Sequence, residues 1–270
     1  MLTEPYLEIT TQIGCRVNCI EYCPQEIIVQ KHRGMKPLTL ENFKEYITSV
    51  PPNVSIAFSG FSEPFQNQET TDMALWAAQT HEVQVFSTLV GLTPEDAKRL
   101  VTIPFRYFCL HLPDACGKAQ IPITIDYLET LKIILSNVKN LGLMNMGGEF
   151  VSAGHENIGR GKTRVIKGKV GCKQLDRPSF SMLPNGDVYV CCVTRGLGGK
   201  IGSLRYSTFR DIMRKFPEQA EELQTDPESI CHRCTGGMPM WAYHLMPLYS
   251  KIETARTTLK NHFHGWSNQK

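Results

Sequence analysis

Cysteine is the residue whose distribution most constrains this chain. Three of its ten cysteines, Cys15, Cys19 and Cys23, lie within nine residues, and a second group lies in the C-terminal part, at Cys172, Cys191, Cys192, Cys231 and Cys234. The chain has 270 residues, of which 41% are hydrophobic, so it can bury a core large enough to fold without disulfides. In a reducing compartment such thiols stay free and are available as metal ligands. The two groups of cysteines therefore predict two metal centres.

The N-terminal sequence predicts a cytoplasmic protein. It begins MLTEPYLEI, with an acid at Glu4 and without a basic segment followed by an apolar run, and no apolar stretch approaches bilayer length. The net charge of +3 is spread along the chain without a run of like charges. We therefore expect neither a nucleic acid nor a membrane surface as a partner.

Strand-like and helix-like segments alternate between the two groups of cysteines. Short apolar runs bounded by turn residues predict strands at Tyr6–Thr11, Val54–Phe58, Val83–Thr88, Phe105–Leu110 and Leu141–Met146. Such alternation predicts an α/β fold, with a parallel sheet or partial barrel joined by right-handed crossovers. The chemistry of such folds lies at the carboxyl ends of the strands.

The segments between these strands carry helix signals. Thr93 is a predicted N-cap with Pro94 in the first turn, and Phe43 and Ile47 mark an apolar face on an earlier helix. A later helix repeats apolar residues every three or four positions, and its predicted buried face is Leu128, Leu131, Leu135 and Val138.

The alternation ends near residue 150, in a segment rich in glycine and lysine. Beyond it, Asn185-Gly186 predicts the turn of a β-hairpin, and a last helix is predicted from Met238 to about Leu259. We divide the chain into a partial barrel at residues 1–165, a small α+β domain at 166–240, and a C-terminal helix and tail at 241–270.

The N-terminal cysteines predict an incomplete set of metal ligands. Three thiolates can close a tetrahedral zinc site only with a histidine from elsewhere. They can bind three irons of a [4Fe-4S] cluster and leave the fourth iron open to another ligand. Three thiols that pack without metal are the remaining alternative.

These residues resemble the radical S-adenosylmethionine (SAM) superfamily. The shared features are a first strand that leads into a loop of three cysteines, the aromatic Tyr22 before the last of them, and an α/β chain behind it. The usual spacing is Cys-x3-Cys-x2-Cys, and this chain has one additional residue between Cys19 and Cys23. The resemblance implies a partial (β/α)6 barrel and a [4Fe-4S] cluster on Cys15, Cys19 and Cys23. It also implies reductive cleavage of bound SAM to a 5'-deoxyadenosyl radical, which takes a hydrogen atom from the substrate.

A second match follows the second predicted strand. FSGFSEP, residues 58–64, stands where the superfamily has Gly-Gly-Glu-Pro; Phe61 and Ser62 replace the glycines, while Glu63 and Pro64 remain. The resemblance implies that SAM contacts Tyr22, Ser59, Gly60, Phe61, Ser62, Glu63, Ser87, Thr88 and His111. His111 and Asp114 are also candidate catalytic residues, and each is equally explained as a polar group at the barrel rim.

The C-terminal cysteines resemble the ligands of the SPASM/twitch extension of radical SAM enzymes. The resemblance implies an auxiliary [4Fe-4S] cluster on Cys172, Cys191, Cys231 and Cys234. Cys191 is favoured over Cys192 because it directly follows the hairpin sequence NGDVYV. A zinc site of four cysteines is the alternative. We interpret His232 as a surface loop residue and Cys109 as a buried strand residue, and we leave Cys116 without a role.

The resemblance favours oxidation or epimerisation of a small molecule such as a sugar or aminocyclitol, with a flavodoxin- or ferredoxin-type electron donor. One alternative is a radical SAM enzyme that modifies peptides. Another is a non-catalytic iron-sulfur or zinc protein that transfers electrons or mediates interactions.

Overall fold

A computed structural model describes residues 5–17, 19, 23, 25–113, 119–145, 165–176, 178–194, 196–234 and 236–246. Tyr22, Asp114 and Cys116 lie outside the described residues. The first half alternates strands and helices: β1 (Tyr6–Ile9), α1 (Gln25–Lys31), α2 (Leu40–Ile47), β2 (Ser55–Phe58), α3 (Thr70–Ala77), β3 (Val83–Ser87), α4 (Pro94–Leu100), β4 (Tyr107–Leu112), α5 (Ile125–Asn137) and β5 (Leu141–Asn145). The C-terminal part contains β6 (Val170–Gly171), β7 (Ser179–Met182), β8 (Asp187–Tyr189), β9 (Lys200–Ser203), α6 (Phe209–Thr225) and β10 (Met238–Pro239).

One eight-stranded sheet organises the molecule, with the strand order β5-β4-β3-β2-β1-β7-β8-β9. Neighbouring strands are parallel from β5 to β7 and antiparallel from β7 to β9. This arrangement confirms the predicted α/β fold. Because β7 pairs with β1, with Glu8 opposite Ser181, the sheet continues across the predicted domain boundary at residue 165. That boundary stays a prediction.

Side chains alternate between the two faces of the sheet, as the pleat of a strand requires. Leu7 and Ile9 of β1 are fully buried and belong to the same core cluster as Phe43 of α2. Tyr6 and Glu8, at the intervening positions, face the other side and line a cavity. The core with Phe43 therefore lies on one face of β1, and the cavity lies on the other.

Two of the predicted helices have the expected structure. Thr93 caps α4 by accepting a hydrogen bond from the backbone N–H of Asp96, and Phe43 and Ile47 of α2 are buried. The predicted apolar face of α5 is only partly buried: Leu131 and Val138 pack against the core, whereas Leu128 and Leu135 are 52% and 46% exposed. The fully covered positions of this helix are Tyr127, Thr130 and Ile134. Since α5 has apolar residues on more than one side, periodicity alone does not identify the side that packs.

The ends of two other predicted elements also differ from expectation. Strand β4 begins at Tyr107 rather than at Phe105, because the N–H of Phe105 bonds to the carbonyl of Ile103 in a turn. Met238 and Pro239 pair with β6 as the short strand β10, and helix follows at residues 240–246. The predicted continuation of that helix beyond residue 246 lies outside the described residues.

The hairpin at Asn185-Gly186 is confirmed. It joins the antiparallel strands β7 and β8, and Gly186 has φ +83°, a value that favours glycine. No helix in the described part of the chain is both long enough and apolar enough to cross a bilayer.

Candidate functional site

A cavity of about 550 Å³ lies at the carboxyl ends of the parallel strands. It brings together most of the residues expected from the sequence. Its lining includes the three loop cysteines, the segment from Ser59 to Glu63, Thr88 and His111. Ser87 lies beside this cavity without lining it. The roles of these residues stay predictions, and their common location supports them.

The cysteine loop is held to the sheet through the sulfur of Cys15. The backbone N–H of Glu63 lies 3.4 Å from Cys15 Sγ, and the amide nitrogen of Gln66 lies 3.8 Å from the same sulfur. A turn brings Cys23 back to Cys19, since the N–H of Cys23 donates to the carbonyl of Cys19 at 3.1 Å. Burial raises the pKa of the Cys15 thiol, while the N–H of Glu63 lowers it. All three cysteines line one cavity, as ligands of a single cluster would.

The segment after β2 bends closely around Thr10. Gly60 has φ +91°, and a Cβ at this position would collide with the Thr10 side chain. The N–H of Phe61 donates to Thr10 Oγ1 at 3.3 Å, and Ser62 Oγ donates to the carbonyl of Gln12 at 2.8 Å. The positive φ and the closeness of Thr10 therefore require glycine at position 60, and the segment from Ser59 to Glu63 lines the cavity.

Glu63 connects the segment after β2 to the end of β3 through hydrogen bonds. Its Oε1 accepts from Ser87 Oγ at 2.6 Å, and its Oε2 accepts from both the N–H and the hydroxyl of Thr88 at 2.7 Å. Burial raises the pKa of this carboxyl, and the hydrogen bonds from Ser87 and Thr88 lower it. Both oxygens are thus engaged by neutral donors of the protein. Ser87 does not line the cavity, and its connection to the site is this hydrogen bond to Glu63.

Polar residues from β1, β3 and β4 also face the cavity. Tyr6, Glu8, Gln84 and His111 line it, and Gln84 Nε2 donates to Ser55 Oγ at 2.9 Å. His111 Nε2 is buried, and among the described residues it has no hydrogen-bond partner. Burial lowers the pKa of His111 to about 4, so its imidazole is neutral at neutral pH. Sequence reasoning missed Tyr6, Glu8 and Gln84. The one sequence signal that could have indicated them is that they are polar residues at alternate positions of strands that are otherwise apolar.

The four predicted auxiliary ligands line a second cavity. Cys172 directly follows β6, Cys191 follows β8 by two residues, and Cys231 and Cys234 lie at a turn of 3-10 helix, Ile230–Arg233. Burial raises the pKa of the Cys172 and Cys234 thiols, and that of Cys231 to about 12. Four soft thiolates in a largely apolar setting suit an iron-sulfur cluster or zinc, and metal binding would displace their protons.

The two adjacent cysteines face different cavities. Cys191 lines the second cavity, whereas Cys192 lines the first, with its sulfur 3.7 Å from the hydroxyl oxygen of Tyr6. The next residue, Val193, lines both. This orientation supports Cys191 as the auxiliary ligand, which stays a prediction.

The interpretation of His232 as a surface residue is wrong. It is only 2% exposed, and its Nδ1 donates to the carbonyl of Ile166 at 2.8 Å. The N–H of Ile166 bonds in turn to the carbonyl of His232 at 2.8 Å. The imidazole therefore fastens residue 166 to the turn that carries Cys231 and Cys234. Cys109, by contrast, is buried as predicted.

Within the described ranges, no three His, Cys, Asp or Glu side chains converge closely enough to hold one metal ion. A [4Fe-4S] cluster binds each cysteine through a different iron, so its ligands do not meet at one point. The arrangement is compatible with cluster ligands at both sites.

Comparison with known proteins adds two findings. Residues 172–235 match the SPASM family, described as an iron-sulfur cluster-binding domain, and this range contains all four predicted auxiliary ligands. A search of curated proteins gave no match.

The second finding is similarity to solved structures. BtrN in complex with AdoMet and 2-DOIA matches with a TM-score of 0.60 at 13% identity, over 88% of this chain and 93% of that one. Native anSMEcpe with bound AdoMet matches with a TM-score of 0.50 at 12% identity, over 86% and 88%. The anSMEcpe structure with AdoMet and the Kp18Cys peptide has the same score, identity and coverage. The chain therefore has the fold of the radical SAM enzymes that carry a SPASM or twitch domain, as the resemblance in its sequence implied.

Proposed function

We propose that this chain is a radical SAM enzyme, with a [4Fe-4S] cluster on Cys15, Cys19 and Cys23 and SAM in the adjoining cavity. The observation that carries the proposal is that one cavity, at the carboxyl ends of the parallel strands, is lined by all three cysteines and by the segment from Ser59 to Glu63. When bound, the cluster and SAM together supply an electron and a radical that removes a hydrogen atom from the substrate.

The residues of this chain would bind and orient these groups. The segment from Ser59 to Ser62 lines the cavity, and its backbone carbonyls would suit an ammonium donor. Glu63 would act by holding Thr88 against this segment, because both of its carboxylate oxygens are already engaged. Thr88 and His111 complete the wall on the neighbouring strands.

We further propose that the substrate is a small molecule with hydroxyl groups, such as a sugar or aminocyclitol, which the enzyme oxidises or epimerises. The polar lining supports this class: Glu8, Gln84 and His111 can each bond to a hydroxyl group. A neutral His111 can accept the hydroxyl proton that an alcohol loses when it is oxidised. Glu8 can accept a hydrogen bond from an amine or a hydroxyl.

The second site would serve electron transfer. Its four cysteines would leave a cluster without an open iron, and the SPASM match over residues 172–235 supports an iron-sulfur cluster rather than zinc. Cys191 and Cys192 line the two cavities from adjacent positions and Val193 lines both, so the two cavities adjoin there. We propose a flavodoxin- or ferredoxin-type protein as the external electron donor.

Peptide modification is the second candidate. Its support is the fold similarity to anSMEcpe, whose structure contains AdoMet and the Kp18Cys peptide. Incubation of the enzyme with sugars, aminocyclitols and cysteine-containing peptides distinguishes the two candidates. The favoured substrate would lose two hydrogen atoms on oxidation, or take up one deuterium from deuterium oxide on epimerisation.

SAM cleavage tests the proposed enzyme class directly. The chain is loaded anaerobically with iron and sulfide, mixed with dithionite and SAM, and assayed for 5'-deoxyadenosine by chromatography. Cys19→Ala should abolish the product, while Cys109→Ala, which removes a buried thiol outside both cavities, should retain it. A fully loaded wild-type chain without product would instead be a non-catalytic iron-sulfur protein.

A further inference from the structure

Two glutamines donate side-chain hydrogen bonds to the sulfurs of the cysteine loop. Gln25, the first residue of α1, has its amide nitrogen 3.3 Å from Cys23 Sγ. Gln66 ends the turn of 3-10 helix Pro64–Gln66, and its amide nitrogen lies 3.8 Å from Cys15 Sγ. These contacts come from two different elements, so two of the three cysteine sulfurs each accept an amide N–H.

Backbone groups determine which end of each amide faces sulfur. The Oε1 of Gln66 accepts from the backbone N–H of Arg16 at 3.0 Å, which leaves its NH2 group toward Cys15. The amide nitrogen of Gln25 also contacts the carbonyl oxygen of Phe61. Since a carbonyl oxygen can only accept, the NH2 group of Gln25 must be on that side. Both glutamines therefore present N–H groups to sulfur, and a flipped amide would lose a backbone partner.

An N–H group directed at a thiolate ligand stabilises negative charge on the sulfur. Addition of one electron to an iron-sulfur cluster increases that charge, so the hydrogen bond stabilises the reduced form more than the oxidised form. Hydrogen bonds to sulfur are among the factors that set the reduction potentials of such clusters. We propose that Gln25 and Gln66 raise the reduction potential of the cluster bound by Cys15, Cys19 and Cys23. This inference rests on the proposed function, since it requires a cluster at that loop.

The second site supplies an internal reference. There, the N–H groups of Val193 and Gly236 lie 3.3 Å and 3.4 Å from the sulfurs of Cys191 and Cys234. These donors belong to the backbone, and neither glutamine lines that cavity. Substitution of Gln25 or Gln66 should therefore change the potential of the first cluster and leave that of the second unchanged.

The test is a redox titration of the chain with both clusters, followed by electron paramagnetic resonance. One electron from reduced mediator enters each cluster, and no bond is formed or broken. The first cluster is identified as the one whose signal changes when SAM is added. Gln25→Met and Gln66→Met keep the length of the side chain and remove the N–H donor. Gln84→Met is the matched control, because Gln84 lines the same cavity and donates to Ser55 rather than to sulfur.

We expect a lower midpoint potential in both variants and an unchanged one in the control. At the wild-type midpoint, the ratio of reduced to oxidised first cluster should fall up to tenfold, which is about 59 mV for one electron. The effect should be larger for Gln25→Met, whose contact is the shorter. The potential is read only from loaded cluster, so partial loading of a variant does not obscure it.

A SAM-responsive cluster whose potential is unchanged or raised in both variants overturns this inference and leaves the proposed function intact. A loaded wild-type chain without any SAM-responsive signal overturns both together.

Discussion

The two cysteine sites are built in different ways. The first takes its cysteines from one loop of nine residues and borders an open cavity of about 550 Å³. The second takes its four from separate segments that meet only after β6, β8 and the turn at Ile230–Arg233 have packed together. A site built from one loop can be recognised in a sequence, because its ligands are neighbours whatever the fold. A site built from distant segments is part of the fold itself.

The surroundings of the sulfurs differ accordingly. At the first site the N–H donors include the side chains of Gln25 and Gln66, which can be replaced without changing the backbone. At the second site the N–H donors to sulfur include the backbone groups of Val193 and Gly236. There, the His232 side chain also bonds the turn at Ile230–Arg233 to the carbonyl of Ile166. Substitutions at the first site should therefore alter chemistry more than folding, and loss of the second cluster should alter both.

The largest effect is expected from Cys191→Ala. This change removes one of the four proposed ligands from distant segments, so the proposed auxiliary cluster should be lost. Iron per chain should fall by about half, because each [4Fe-4S] cluster carries an equal share. The melting temperature should fall with it, since metal bound only by the folded chain adds to its stability. Iron analysis and a thermal melt under anaerobic conditions measure both quantities.

Cys192→Ala is the matched control for that experiment. It removes the neighbouring thiol, which faces the first cavity, and should retain the full iron content. If Cys192→Ala lost half of the iron and Cys191→Ala kept all of it, Cys192 would be the auxiliary ligand in place of Cys191.

Local signals in the sequence were sufficient for much of the fold. The cap at Thr93, the hairpin at Asn185-Gly186 and the α/β order each depend on residues close together in the chain, and each is confirmed. The buried face of α5 is set by the neighbours it meets, so Leu128 and Leu135 proved exposed. Pairing of β7 with β1 is a long-range contact, and no local pattern predicts it.

The candidate site shows the same division. Cys15, Cys19, Cys23 and the segment from Ser59 to Glu63 could be predicted as site residues because each group lies on one continuous segment. Glu8 and Gln84 were missed because they share a cavity only when β1 and β3 lie in one sheet. His232 was misread because its burial depends on a partner at residue 166, far away in sequence. Glu8, Gln84 and the burial of His232 depend on tertiary neighbours, and the structure was needed to find them.

A smaller effect, confined to the first site, is expected from Glu63→Gln. The new amide has one oxygen and one NH2 group in place of two oxygens. Its NH2 group would face either the Ser87 hydroxyl or the donors of Thr88, so at least one buried hydrogen bond would be lost. The free energy of unfolding should fall by about 2 kcal/mol. Urea unfolding of the loaded chain, compared with the wild type, measures the change.

Glu129→Gln is the surface control for this measurement. Its carboxylate forms an exposed ion pair with Lys98, which should be worth less than about 1 kcal/mol. A Glu63→Gln chain with wild-type stability that no longer binds SAM would contradict the structural role, and would indicate that the carboxylate contacts SAM directly.

The smallest expected effect is a pH dependence of stability due to His111, a partly buried residue at the first site whose Nε2 is buried. Its folded pKa of about 4 lies below the usual value of 6.5. Between these values the unfolded chain binds a proton that the folded chain does not, so the free energy of unfolding decreases as the pH falls through this range. Between about pH 7.5 and pH 5.5, His111 alone should lower the free energy of unfolding by about 1.4 kcal/mol. His111→Asn should remove that part of the decrease, as measured by urea unfolding at the two pH values.

Gln84→Asn is the control that distinguishes protonation of His111 from a general loss of stability caused by altering the cavity. Gln84 lines the same cavity and does not ionise, so this variant should lose stability equally at both pH values and keep the wild-type dependence. If His111→Asn also kept the wild-type dependence, His111 would be able to take up a proton in the folded chain. The imidazole would then be cationic in mildly acidic solution, and its proposed role as acceptor of a substrate proton would be confined to higher pH. The pH dependence of stability therefore tests a chemical role at the first site without a known substrate.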